Sequence, residues 1–260
     1  MLDPAPAPLR FQAVVKEFDG RSAVAGLDLE VGAGELFGLI GPNGAGKTTT
    51  IKMAVGLLRP TAGRITVCGH DVQASGARAR RHLGYVPDSA PLYEKLTGIE
   101  VLQLAGDLHG VSRRRRERRI PALLEALELS AASSQLVQSY SRGMRQKLAL
   151  CAALIHDPEV VLLDEPTVGL DPKAARQLRS ILQALCTTGH TVFLSTHALD
   201  VASALCDRVG IFAAGKLVAL GTVEELAGRG AGGQDLEAAF MQATGAEDGD
   251  AARLMDALSA

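Results

Sequence analysis

The chain has 260 residues, of which 47% are hydrophobic, 3% are aromatic and 22% are charged. Its 27 Lys and Arg nearly balance its 29 Asp and Glu, so the net charge is −2. This balance excludes a strongly basic protein that wraps nucleic acid, and it excludes an acidic disordered tail. No nucleic-acid partner is predicted. The length is enough for one large domain or two small domains with an aliphatic core.

The sequence predicts a soluble cytoplasmic chain. The longest apolar candidate, residues 148–155, is far shorter than the roughly 18 residues that span a bilayer. Residues 1–8 alternate proline with small residues and have no basic start, which indicates a flexible arm rather than a signal peptide. No Cys-x-x-Cys motif occurs. We therefore expect the four cysteines to be small, buried hydrophobic side chains in a reducing compartment; they are Cys68, Cys151, Cys186 and Cys206.

The first third of the chain alternates strand and helix signals. Residues 9–31 carry short β-type runs, and the apolar run 36–40 has the length of a buried strand. A helical stretch is predicted from Lys47 to about Leu58, and the breakers at 59–63 end it.

A helix-rich segment then interrupts this alternation. Residues 120–129 and 144–155 both have helical patterns. Buried strands return at 160–163 and 191–194. Strands alternating with helices predict an α/β fold with a mostly parallel sheet, into which a helical segment is inserted.

A glycine-rich loop follows the strand at 36–40. It matches the G-x-x-x-x-G-K-[ST] pattern in full, and it lies between a strand and a helix, as nucleotide binding requires. Glycines let consecutive N–H groups converge on a phosphate, and the helix dipole adds positive charge there. Lys47 supplies a cation for the terminal phosphates and the Thr48 hydroxyl can ligate Mg²⁺. The predicted nucleotide-binding residues are Gly41, Pro42, Asn43, Gly44, Ala45, Gly46, Lys47, Thr48 and Thr49.

Two carboxylates end the strand at 160–163. Asp164 is expected beside the phosphate loop, where it can orient Mg²⁺, and Glu165 is placed to polarise an attacking water. His197 follows the strand at 191–194, on the side where α/β sheets bind ligands. It could hydrogen-bond a γ-phosphate, or it could be a structural histidine like His70 and His156.

A further motif, Tyr140-Ser141-Arg142-Gly143-Met144-Arg145-Gln146-Lys147, precedes the strand that ends in Asp164. With the phosphate loop, Gly169-Leu170-Asp171 and His197, it occurs in the order seen in the ATPase subunits of ABC transporters. The chain resembles this family from about Leu9 to Glu225. The resemblance implies a P-loop NTPase core with a mostly parallel sheet, a small antiparallel β region and an inserted α-helical subdomain.

The resemblance also implies a dimer. Ser141 is a good helix N-cap, and the helix end that it begins can bind an anion. In the family this end meets the γ-phosphate held by a second ATPase subunit, so two nucleotides lie between two chains. Ser141, Arg142, Gly143 and Met144 are therefore the predicted signature residues that contact ATP in trans.

Further roles are carried over to single residues. Asp171 would couple the two sites, His197 would sense the γ-phosphate and Glu165 would act as the base. Phe18 lies where the family places an aromatic side chain that stacks on adenine, although an ordinary core residue is the alternative.

Two motifs depart from the common family pattern. Arg142 and Met144 replace a glycine and a glutamine of the usual signature. After Gly84-Tyr85-Val86-Pro87, Asp88 replaces the usual glutamine; its carboxylate can still ligate Mg²⁺ with Thr48 and Asp164. Both departures resemble the ATPases of type-2 ABC exporters.

The implied organisation is an ATPase domain over 9–225, with a nucleotide-binding core at 9–87 and 158–225 and a helical subdomain at 88–157. Residues 1–8 are the arm and 226–260 a C-terminal extension. A glycine hinge is predicted at Gly228, Gly230, Gly232 and Gly233.

The predicted function is ATP hydrolysis with Mg²⁺ that powers a separate membrane permease. The implied partners are that permease and a second copy of the chain or a paralogous subunit, at the cytoplasmic face of the membrane. The alternative is a soluble ABC-type ATPase with a regulatory or scaffolding role. The basic run at 113–119 is either a solvated helix face or a contact for anionic lipid or the permease.

Overall fold

The computed structural model describes residues 7–168, 170–228 and 236–244. Most of the predicted arm, Gly169, the glycines at 230, 232 and 233 and the tail beyond 244 lie outside these residues. The strands are β1 (Leu9–Phe18), β2 (Arg21–Val31), β3 (Leu36–Ile40), β4 (Ala62–Val67), β5 (His70–Asp71), β6 (Leu83–Val86), β7 (Val160–Asp164), β8 (Thr191–Thr196), β9 (Arg208–Ala213) and β10 (Lys216–Thr222). The helices are α1 (Lys47–Ala54), α2 (Gly76–Arg81), α3 (Gly98–Leu108), α4 (Arg113–Ala126), α5 (Arg142–Leu154), α6 (Pro172–Thr187), α7 (Leu199–Leu205), α8 (Val223–Ala227) and α9 (Leu236–Thr244).

Two sheets form the strand framework. The larger has the order β10-β9-β3-β8-β7-β6, in which β10 alone of the six runs antiparallel to its neighbour. The smaller is antiparallel, with the order β2-β1-β4-β5. Because α3, α4 and α5 lie between β6 and β7 in the chain, the predicted fold class is confirmed.

The larger sheet is covered on both faces, which explains why its central strands are continuously apolar. Leu36, Val161 and Val192 point to the face covered by α3 to α7. Phe37 and Phe193 point to the opposite face and pack with α1 and the smaller sheet. Successive strand residues therefore enter different cores.

Two helix boundaries differ from the predictions for physical reasons. The first helix ends at Ala54 rather than near Leu58, because Gly56 takes a φ of 77° that α-helical backbone does not allow. The fourth helix begins at Arg113 rather than near Ile120. Its cap is Ser112, whose Oγ accepts a hydrogen bond from the Arg115 N–H at 3.4 Å.

The basic run lies on α4 and much of it is paired within the chain. The guanidiniums of Arg115 and Arg119 contact the Asp157 carboxylate at 2.9 and 3.1 Å. Arg116 pairs with Asp107 on α3. These side chains join α4 to its neighbours. Arg113, Arg114 and Arg118 are exposed, so the run also keeps a solvated face. Within the part of the chain that the structure describes, no helix is both long and apolar enough to cross a membrane.

Candidate nucleotide site

The glycine-rich loop connects the end of β3 to the start of α1. Gly46 is the N-cap of α1 at φ 109°, and it offers no side chain to the helix. The first N–H groups of α1 therefore have no partner within the helix and are available to an anion. This is the arrangement that the sequence predicted for residues 41–49.

Glycine is required at two loop positions because backbone passes close by. A Cβ on Gly41 would lie 2.1 Å from the carbonyl oxygen of Phe212 on β9. A Cβ on Gly46 would lie 2.2 Å from the carbonyl oxygen of Ala23 on β2. The loop is thus held between the two sheets.

The Lys47 amine is buried at the centre of the site. It donates to the carbonyl oxygens of Gly41 at 2.7 Å and Pro42 at 3.2 Å. Its Nζ also lies 3.5 Å from Oε1 of Glu165. Among the remaining loop residues Ala45 is buried and Thr49 is partly buried, while the exposed ones are Pro42, Asn43, Gly44 and Thr48.

The Asp164 carboxylate ends β7 and is only 2% exposed. Its Oδ1 accepts hydrogen bonds from Ser195 Oγ at 2.5 Å and Thr48 Oγ1 at 3.1 Å. Asp164 and Ser195 are register partners on adjacent strands. A carboxylate and a hydroxyl at contact distance are oxygen ligands of the kind that Mg²⁺ prefers, so Thr48 and Asp164 fit the predicted metal role.

Glu165 has an unusual backbone conformation that directs its side chain. Its φ of 48° is in the left-handed region, which is uncommon for a residue other than glycine. Its N–H donates to the Ser195 carbonyl oxygen at 3.1 Å. The carboxylate lies between the Lys47 amine and Nδ1 of His197, with 3.0 Å from Oε2 to the imidazole. Strain at such a residue costs about 1–3 kcal/mol and is typical of functional sites.

The signature residues lie apart from this group. Ser141 Oγ accepts from the Met144 N–H at 3.3 Å and caps α5, and Ser141 and Arg142 are exposed. Gly143 is partly buried near the Leu170 side chain. Within the described residues, no hydrogen bond or ion pair joins residues 141–144 to residues 41–49.

Two of the residues that depart from the family pattern, Asp88 and Arg142, contact each other. Asp88 Oδ1 lies 3.8 Å from a guanidinium nitrogen of Arg142, and the side chains are 55% and 61% exposed. An exposed pair of this kind contributes about 0–1 kcal/mol. Asp88 makes no described contact with Thr48 or Asp164, so its predicted metal role stays a prediction.

Arg145 is a positioning residue that the sequence analysis did not single out. Its guanidinium donates to the carbonyl oxygens of Tyr140 at 3.3 Å and Gln138 at 3.2 Å, and to Glu94 at 2.9 Å. It therefore ties the turn before Ser141 to the segment that follows Asp88. Arg145 lies three residues after Arg142, the first residue of α5, so its side chain can reach back over the helix cap. This position was the signal in the sequence that could have identified it.

Two predicted residues have clear local settings. The Asp171 side chain caps α6 through the N–H groups of Lys173 at 2.9 Å and Ala174 at 2.8 Å, and these hydrogen bonds lower its pKa. Phe18 is 44% exposed, so it is not the core residue of the alternative interpretation. It lines a cleft with Ser22 and Ala23, the residue that passes over the phosphate loop.

Comparison with known proteins agrees with this geometry. The sequence profile described as "ABC transporter" matches residues 24–168. The chain belongs to the ABC transporter family of ATP-binding proteins. As a member of this family it binds ATP.

Named relatives of this ABC cassette include transport proteins. The daunorubicin/doxorubicin resistance ATP-binding protein DrrA of Streptomyces peucetius is 43% identical over 213 residues, which is 82% of this chain and 64% of that protein. The Nod factor export ATP-binding protein I of Burkholderia pseudomallei (strain 1710b) is 40% identical over 215 residues, 83% of this chain and 71% of that protein. A solved ATP-binding subunit of an ABC transporter superposes with a TM-score of 0.84 and 33% identity, covering 91% of this chain and 99% of that one.

The close passage over Gly46 gives a stability prediction. Gly46→Ala should destabilise the cassette by more than Gly44→Ala, because both glycines have positive φ but a Cβ at Gly44 meets nothing within 4 Å. Alanine in the left-handed region costs about 1–2 kcal/mol, and overlap with backbone adds about 1–3 kcal/mol. Urea unfolding without nucleotide measures both variants, and equal losses would contradict the close approach.

Proposed function

We propose that this chain is the ATP-hydrolysing subunit of an ABC exporter and that it works as a nucleotide-sandwich dimer. The proposal depends on one observation: the side chains of Lys47, Thr48, Asp164, Glu165 and His197 meet at one edge of the larger sheet. That edge is formed by the carboxyl ends of parallel strands, where α/β proteins bind ligands.

Nucleotide binding would use the loop backbone first. The N–H groups at the start of α1 would hold the phosphates, and the Lys47 amine would leave the Gly41 and Pro42 carbonyl oxygens to reach them. The cleft beside Phe18 would receive the adenine by stacking. Bound Mg²⁺ would neutralise charge on the terminal phosphates as the bond to the leaving group breaks.

Hydrolysis would use the carboxylate of Glu165, the residue whose backbone is in the left-handed region. Glu165 would accept a hydrogen bond from the attacking water and hold it in line with the γ-phosphate. His197, hydrogen-bonded to that carboxylate, would contact the γ-phosphate with its other ring nitrogen. Thr48 and Asp164 would hold the metal ion, and Asp88 would approach it from the loop after β6.

A second chain would complete the site. The N-terminal turn of α5 at Ser141 is exposed and makes no described contact with its own phosphate loop. In a head-to-tail dimer it would face the γ-phosphate of the partner chain, with Gly143 allowing close approach and Arg142 adding positive charge. Asp171, which orders the start of α6, would couple the two sites.

The permease would dock on an apolar groove of about 490 Å³ between the core and α3. Leu57 and Leu108 line it and are 65% and 77% exposed, which is unusual for large apolar side chains. His109 and His156 stack at 3.7 Å in its wall. Burial lowers the pKa of His156 to about 4 and also lowers the pKa of His109, so both imidazoles are uncharged at neutral pH. The name of the Nod factor export relative supports an exporter. The chain would act at the cytoplasmic face of the membrane.

Removing the Glu165 carboxylate should separate binding from turnover. Glu165→Gln should retain ATP affinity and lose ATP turnover by at least about 100-fold, because a general base contributes 10²–10⁴-fold. Lys47→Ala should instead lose ATP affinity, since its cation contacts the phosphates. Titration with a fluorescent nucleotide and a phosphate-release assay measure the two effects. Normal turnover in Glu165→Gln would remove Glu165 from its proposed role.

The groove predicts a membrane partner. Leu108→Glu should abolish co-purification of an integral membrane protein from detergent-solubilised membranes, because it places a charge in the apolar groove. The matched control is Val218→Glu, an exposed apolar residue on β10 that does not line the groove. Recovery of no membrane protein by the unmodified chain would favour the alternative, a regulatory ABC-type ATPase without transport.

A further inference from the structure

We propose that Cys68, His82 and Glu159 form a binding site for Zn²⁺ or a divalent ion of similar softness. Within the described residues, Cys68 Sγ, a His82 ring nitrogen and a Glu159 carboxylate oxygen all lie within 4.8 Å of one another. His82 Nδ1 is 2.9 Å from Glu159 Oε2. None of the three residues takes part in the nucleotide chemistry described above.

The donor types select the ion. A thiolate, an imidazole and a carboxylate are the three side chains that bind Zn²⁺, whereas Mg²⁺ prefers oxygen ligands only. In a tetrahedral site neighbouring ligand atoms are about 3.4–3.7 Å apart, given metal–ligand distances near 2.0–2.3 Å. The three ligand atoms already lie within 4.8 Å of one another, so shifts of about 1 Å would bring them to this spacing. Three protein ligands leave the fourth position to water.

The backbone holds the ligands in place from different elements. Cys68 is in the β4–β5 turn, where its φ is 47° and its N–H donates to the Pro8 carbonyl oxygen at 2.8 Å. His82 and Glu159 directly precede β6 and β7, and the His82 carbonyl oxygen accepts from the Val160 N–H at 2.9 Å. A bound ion would therefore link the antiparallel sheet to the edge of the larger sheet.

The His82 ring is also oriented from its face. His70 stacks on it with ring centroids 5.2 Å apart and an angle of 25° between the rings. This contact limits rotation of the imidazole and leaves its edge toward Cys68 and Glu159. His70 is thus a positioning residue for the site.

The position of this group separates it from the nucleotide site. It lies at the amino ends of β6 and β7, while Asp164 is at the carboxyl end of β7. Five residues of strand separate Glu159 from Asp164 by about 16 Å, so the ion would not compete with the metal of the nucleotide site.

Cobalt titration tests the proposal directly. The full chain, treated with a chelator and kept free of nucleotide, should give a thiolate-to-cobalt absorption band that saturates at one Co²⁺ per chain and is displaced by Zn²⁺. The nucleotide site contains no thiol, so Co²⁺ bound there would not give this band. Cys68→Ser should lose the band. Cys186→Ser, at another partly buried cysteine, should keep it.

Two further measurements keep the test decisive if Cys68→Ser folds poorly. Glu159→Gln alters an exposed side chain and should weaken Co²⁺ binding on the order of tenfold or more. Excess Zn²⁺ should raise the melting temperature of the unmodified chain and of Cys186→Ser by several degrees, and leave that of His82→Gln unchanged. Absence of the band, its survival in Cys68→Ser, or an equal affinity in Glu159→Gln would overturn the proposal.

Discussion

The buried carboxylate of Asp164 is the constraint on which the rest of the nucleotide site depends. Removing a carboxylate from water costs several kcal/mol unless partners satisfy it. Its partners are two hydroxyls, Ser195 on the adjacent strand and Thr48 at the start of α1. One carboxylate therefore joins β7, β8 and the phosphate loop. These contacts also fix the backbone from which the next residue, Glu165, extends.

The signature end is organised by a separate set of contacts. Residues 94–97 hydrogen-bond to residues 136–138 through backbone, and the Arg145 guanidinium adds side-chain contacts across the same junction. The segment that follows Asp88 is therefore joined to the turn that carries Ser141. This gives a physical route by which the loop after β6 and the signature helix can act together.

Much of this arrangement could be predicted because its signals are local. The strand at 36–40 has the predicted bounds, and the loop after it follows from the glycine and lysine spacing. The buried strand at 160–163 extends only to Asp164. Contacts between distant segments could not be predicted, because no local pattern pairs Ser195 with Asp164 or Arg145 with Glu94.

Local backbone states were also beyond the sequence patterns. Nothing in an acidic dipeptide indicates that Glu165 adopts a left-handed φ, since the neighbouring strand holds it there through the Ser195 carbonyl oxygen. The sequence predicts either a solvated face or a contact surface for the basic run on α4. Its ion pairs with Asp107 and Asp157 could not be predicted, because only the fold brings those residues against it. The sequence predicts that Asp171 couples the two sites of a dimer. The structure shows that its side chain also caps α6.

Two copies of the chain should complete each other's nucleotide site through the Ser141 turn. Sedimentation of the Glu165→Gln chain, with Mg²⁺ and ATP and with neither, measures whether they do. We expect a change from the 27.2 kDa monomer to a particle of about twice that mass, and loss of this change when Gly143→Trp is added to block the turn. A dimer that is indifferent to Gly143→Trp, or a chain that stays monomeric with ATP bound, would contradict it.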